Sequence, residues 1–79
     1  MARALVVEDD VDVASLLEQV LTRVGYEVDV AHDGGAGLEA ARARFPEVVI
    51  LDWMMPIKSG IEVCSELRAD SRFDGTRIM

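Results

Sequence analysis

Val48-Val49-Ile50-Leu51-Asp52 decides the fold: four aliphatic residues without a polar interruption, then a carboxylate. An unbroken apolar run suits a strand covered on both faces, as in a parallel sheet, whereas a strand with one wet face alternates. Ala4-Leu5-Val6-Val7 is a second such run, and it too stops on acids, Glu8-Asp9-Asp10. Between the two, Tyr26, Val28 and Val30 alternate with Glu27, Asp29 and Ala31, the pattern of a half-exposed strand at a sheet edge. Val13, Leu16, Leu17, Val20, Leu21 and Val24 recur as one face of an amphipathic helix, with Asp12 as its N-cap and Gly25 placed to end it.

The segments that follow are less regular. Asp33-Gly34-Gly35 reads as a turn into a weaker helix whose apolar side is Leu38, Ala41 and Phe45, closed by Pro46. A loop through Pro56 and Gly60 leads to a third helix, with Ile61, Cys64 and Leu67 expected to face inward. Residues 70–77 read as polar loop, and Ile78-Met79 as the first residues of another strand. Strand and helix alternate throughout, which predicts an α/β domain with a parallel sheet and right-handed crossovers.

Seventy-nine residues make one small domain or a piece of a larger one. Fifteen Asp and Glu against eight Lys and Arg leave a net charge of −7, which argues against a nucleic-acid surface. The single cysteine, Cys64, has no intrachain disulfide partner and fits a reducing cytoplasm. No apolar run approaches the ~20 residues of a membrane span or the core of a signal peptide. The expectation is a cytoplasmic domain with no membrane or nucleic-acid partner through this chain.

Both buried strands end in carboxylates, and the carboxyl edge of an open parallel sheet is where ligands bind. If the first and third strands are neighbours, Asp9 and Asp52 converge there. Two like charges about 4 Å apart repel by about 4 kcal/mol at an effective dielectric near 20. A divalent cation relieves that repulsion, and oxygen donors favour Mg2+. Acids at strand ends also serve as solvated helix starts that complement the helix N-terminus. The residues alone leave both readings open, with Asp10 and Asp12 better suited to capping than to metal.

Ala4-Leu5-Val6-Val7-Glu8-Asp9, followed by Asp52 in Val-Ile-Leu-Asp-Trp-Met-Met-Pro, resembles the response regulator receiver family of two-component signalling. Pro56 and Gly60 stand four and eight residues after Asp52, and the Asp33-Gly34 pair fits the same pattern. The resemblance spans essentially all of residues 1–79. It implies a flavodoxin-like sheet of order 2-1-3-4-5, of which 2-1-3 is expected here, and a phosphorylation-controlled switch rather than a turnover enzyme. Asp52 would accept a phosphoryl group from a sensor histidine kinase. Asp9, Glu8, Asp52 and the Met54 carbonyl would hold Mg2+. The family's hydroxyl residue after the fourth strand and Lys after the fifth would fall beyond Met79. Ser59 stands where the family has Asp or Asn, a difference of helix capping rather than chemistry. His32, Trp53, Cys64 and Lys58 are given no chemical role.

Two rivals bear on this reading. A haloacid-dehalogenase-like phosphatase also uses an Asp after a strand, but it places a second Asp two residues on, where this chain has Met54. An incomplete receiver could instead serve as an interaction or dimerisation module without phosphotransfer. If Val48–Leu51 has an unpaired edge, self-association or strand exchange through that edge is expected, and Leu16, Leu17, Val20 and Leu21 are expected to stay partly wet. No output domain is expected within residues 1–79.

Overall fold

The structure, a computed structural model, describes residues 2–53, 55 and 58–79. The elements run β1 (Arg3–Val7), α1 (Val11–Val24), β2 (Glu27–Ala31), α2 (Gly34–Arg44), β3 (Val48–Leu51), α3 (Gly60–Arg68), a 3-10 turn (Ser71–Phe73) and β4 (Arg77–Ile78). The sheet has the order β2-β1-β3-β4, and each pairing is parallel. The unbroken apolar runs occupy the interior of the sheet, and the alternating segment forms the edge strand β2, as their patterns require. No helix among the described residues is long and apolar enough to cross a membrane.

Beside the expected 2-1-3, the sheet holds the start of a fourth strand where Ile78-Met79 were read as one, at Arg77–Ile78. Arg77 and Ile78 pair with Val48 and Val49, and Leu51 and Met79 extend the ladder beyond them. The outer side of β3 is therefore covered, and the open edge on that side belongs to β4. This corrects the expectation that β3 itself offers an unpaired edge.

The main core lies between the sheet and the pair α2–α3, where Leu5, Val7, Val49 and Leu51 meet Leu38, Ala41, Val63 and Leu67. Gly37 brings α2 close to β1, because a Cβ there would press into the Val7 side chain. α1 packs on β1 and β2. Of its residues only Ala14 is fully buried; Leu17 and Leu21 are half-buried, while Leu16 and Val20 are exposed, as expected for this face.

Several local expectations are corrected. Asp10, not Asp12, caps α1: its Oδ1 accepts from the N–H groups of Asp12 (2.9 Å) and Val13 (3.2 Å), and Asp12 sits in the first turn. An N-cap of this kind contributes about 1 kcal/mol. Asp10→Ala is expected to lower stability by about that amount, read as a reduced urea midpoint; an unchanged midpoint would show that the cap does not hold α1. Asp33 likewise caps α2 rather than only forming a turn, through Ala36 N–H at 2.8 Å. In α3 the inward residues are Gly60, Val63 and Leu67, while Ile61 is exposed and Cys64 half-buried.

The segment expected to be a polar loop contains Phe73, one of the most deeply buried side chains. It stacks on Phe45 with ring centroids 5.3 Å apart. The Arg68 guanidinium ties the turn down by donating to the Phe73 (3.1 Å) and Thr76 (2.7 Å) carbonyls. Thr76 Oγ1 donates to the Pro46 carbonyl at 3.0 Å, which anchors the approach to β4.

Candidate functional site: an acidic cluster at the carboxyl edge

Val7 and Leu51 are register partners, so the residues after them leave the sheet side by side. The Asp52 N–H donates to the Val7 carbonyl at 2.9 Å, which continues the β1–β3 ladder one step into the site. On the other flank the Glu8 N–H donates to the Ala31 carbonyl at 2.9 Å. Regular strand pairing therefore fixes the main chain under both acids.

Glu8, Asp9 and Asp52 each offer a carboxylate oxygen, and these oxygens lie within 4.8 Å of one another. Glu8 and Asp52 are half-buried and Asp9 is exposed. Burial is the largest influence on the Glu8 carboxyl and raises its pKa above the ordinary value. The Asp10 N–H, donating to Glu8 Oε2 at 3.2 Å, works against that rise, and the neighbouring Asp9 and Asp52 carboxyls add to it. Three oxygen-bearing acids in one partly dry place form a donor set of the hard-cation type. The same crowding raises the cost of leaving all three charged without a counter-ion.

Of the four residues expected at the site, the structure brings three together. Met54 lies outside the described residues, as does Pro56 of the motif. Asp10 faces its helix as a cap. Lys58 forms an ion pair with Glu66, which also faces Arg42 at 3.8 Å, so its ammonium is engaged with α3. Ser59 caps α3 through the Glu62 N–H at 3.2 Å.

Gly60 stood in the motif by its spacing from Asp52, but its close approach to the site was not legible beforehand. A Cβ at this position would overlap the Asp52 carbonyl oxygen and crowd the Trp53 Cα. The Gly60 N–H donates to the Trp53 carbonyl at 3.2 Å. The start of α3 thus presses directly on the main chain that carries Asp52. Trp53 is 67% exposed and borders an apolar cavity of about 420 Å³ with Ile61, Cys64, Ile78 and Met79. Among the described residues, none that lines this cavity is an acid.

The response regulator receiver domain family matches residues 4–79. The chain is 52% identical over 69 residues to the transcriptional regulatory protein YrkP of Bacillus subtilis, covering 87% of this chain and 29% of that protein. It is 40% identical over 68 residues to the response regulator ArlR of Staphylococcus aureus, covering 86% of this chain and 31% of ArlR. Among solved structures, the Vibrio cholerae chemotaxis protein CheY4 aligns with a TM-score of 0.92 at 33% identity, over 99% of this chain and 65% of that one. The Thermotoga maritima response regulator TrrA, solved in complex with Mg(2+)-BeF, aligns with a TM-score of 0.86 at 39% identity, over 91% of this chain and 63% of that one. The chain therefore spans about three tenths of the length of these curated relatives.

Proposed function

The chain belongs to the response regulator receiver domain family, and from that premise we propose that Asp52 is the phosphoryl acceptor of a two-component switch, with Mg2+ held by Glu8, Asp9 and Asp52. The observation that carries this reading is the convergence of the three carboxylates within 4.8 Å where β1 and β3 end. The Mg(2+)-BeF complex of the TrrA relative supports the choice of ion. The Met54 carbonyl is the fourth ligand that the family resemblance adds.

Asp52 is the acid to which the family resemblance gives the role of nucleophile. Its main chain is fixed by the bond to Val7, and it stands at the end of an interior strand. One of its oxygens attacks the donor phosphorus in line, the bond from phosphorus to the kinase histidine nitrogen breaks, and an acyl phosphate forms on Asp52. When bound, Mg2+ offsets negative charge on the transferring oxygens. Glu8 and Asp9 orient that charge and stay unmodified. A phosphohistidine on a sensor kinase is the donor class, and small acyl phosphates can substitute for it.

Incubation with acetyl phosphate tests this. Intact mass is expected to rise by one phosphoryl group with Mg2+ and to stay unchanged with a chelator. A gain that ignores the chelator would overturn the metal assignment. The raised Glu8 pKa adds a sign. Above its ordinary pKa of 4.5 the unfolded chain releases this proton more readily than the folded one, so stability from this group falls as pH rises through the folded pKa. Mg2+ binds the charged form and opposes that loss. The rise in Tm on adding Mg2+ is therefore expected at neutral pH and is expected to fade on acidification.

A further inference from the structure

We propose that His32 is a positioning residue for the acidic cluster, holding Glu8 in place through its main chain. This rests on the reading of Glu8, Asp9 and Asp52 as the Mg2+ site. Glu8 opens that cluster, and it is held from three sides. Its N–H donates to the Ala31 carbonyl at 2.9 Å, its carboxylate accepts the Asp10 N–H at 3.2 Å, and its carbonyl oxygen lies 3.0 Å from His32 Nδ1. A carbonyl oxygen only accepts, so Nδ1 carries the hydrogen.

The reason for a side chain here lies in the sheet. In a parallel ladder the N–H and C=O of one residue bond to residues two apart on the neighbouring strand. With its N–H on Ala31, the Glu8 carbonyl falls due to the Asp33 N–H. β2 ends at Ala31, however, and Asp33 has turned away to cap α2. The imidazole of His32, between the two, supplies a donor to the carbonyl at which the ladder stops. It lets β2 turn into α2 without loosening the strand end that carries Glu8.

Asn is the conservative substitute, since its amide nitrogen branches from the side chain much as Nδ1 does, and Leu keeps bulk without a donor. Mg2+ affinity of the protein is read by titration against Trp53 fluorescence, and protection of the Asp10 amide by hydrogen exchange without metal. His32→Leu is expected to weaken Mg2+ binding by about tenfold, the lower end for losing an outer-sphere partner, and to speed Asp10 exchange in the metal-free protein. His32→Asn is expected to restore both. If His32→Leu matches the parent in affinity and exchange, or if His32→Asn is as impaired as His32→Leu, the positioning role is overturned. A parent protein that binds no Mg2+ would instead remove the site reading, and this inference with it.

Discussion

Asp52→Asn is expected to abolish phosphoryl incorporation from acetyl phosphate while leaving the fold intact. The amide is not a usable nucleophile, and Glu8 and Asp9 are the acids assigned here to Mg2+ rather than to phosphoryl transfer. The contact that ties this position to β1 is a main-chain bond, Asp52 N–H to the Val7 carbonyl, and Asn keeps it. Removing one carboxylate also lessens the crowding on Glu8, whose pKa Asp52 helps to raise. The metal-free variant should therefore melt at or above the parent Tm at neutral pH. Its Mg2+ affinity should fall, because one charged oxygen donor is gone. Labelling at the parent level in this variant would place the acceptor elsewhere. A collapse of Tm would show that Asp52 is needed for folding, and would contradict the division between main-chain anchoring and side-chain chemistry.

The second large effect is expected at Gly60. A methyl group there meets the Asp52 carbonyl, which is backbone and held by β3, so neither partner can step aside cheaply. Overpacking against a close-packed interior costs about 1–3 kcal/mol, and a clash with main chain belongs at the upper end. For a domain of this size each kcal/mol moves Tm by about 4–8 °C, so Gly60→Ala should lose more than about 10 °C. Any protein that remains folded should carry a displaced Asp52 and accept phosphate more slowly. Gly75→Ala is the matched control, since a Cβ there meets nothing within 4 Å and should change little. Equal melting of the two variants would mean that the approach of α3 to Asp52 is not tight.

The same contact explains which parts of the fold could be read from the residues and which could not. Buried strands were legible because unbroken apolar runs leave few alternatives, and the acids that end them pointed to the carboxyl edge. The facing of α3 was not legible. Ile61, Cys64 and Leu67 satisfy helical spacing as well as Gly60, Val63 and Leu67 do. The phase is set by Gly60 pressing on Asp52, a tertiary contact with no local signature. Asp10 and Asp12 were both plausible caps, and two residues of difference in where the helix begins decide between them: Asp10 is extended and Asp12 already lies in the first turn. Phe73 was hidden because a three-residue turn has no periodicity, and its burial depends on Phe45 and Arg68 arriving from other elements. His32 carried no signal at all, since the partner it serves is a main-chain carbonyl 24 residues away.

The Asp52 carboxylate is the atom group on which the proposed function rests, and borohydride tests it most directly. An acyl phosphate is reduced by borohydride to an alcohol, whereas an unmodified carboxylate is inert to it, so a phosphorylated Asp becomes homoserine. After phosphorylation with acetyl phosphate and Mg2+, reduction and peptide mapping should place homoserine at position 52, with Glu8 and Asp9 unchanged. Homoserine at position 9, a reduced Glu8, or no reduced residue in protein that has gained a phosphoryl group would contradict the assignment of Asp52 as the acceptor.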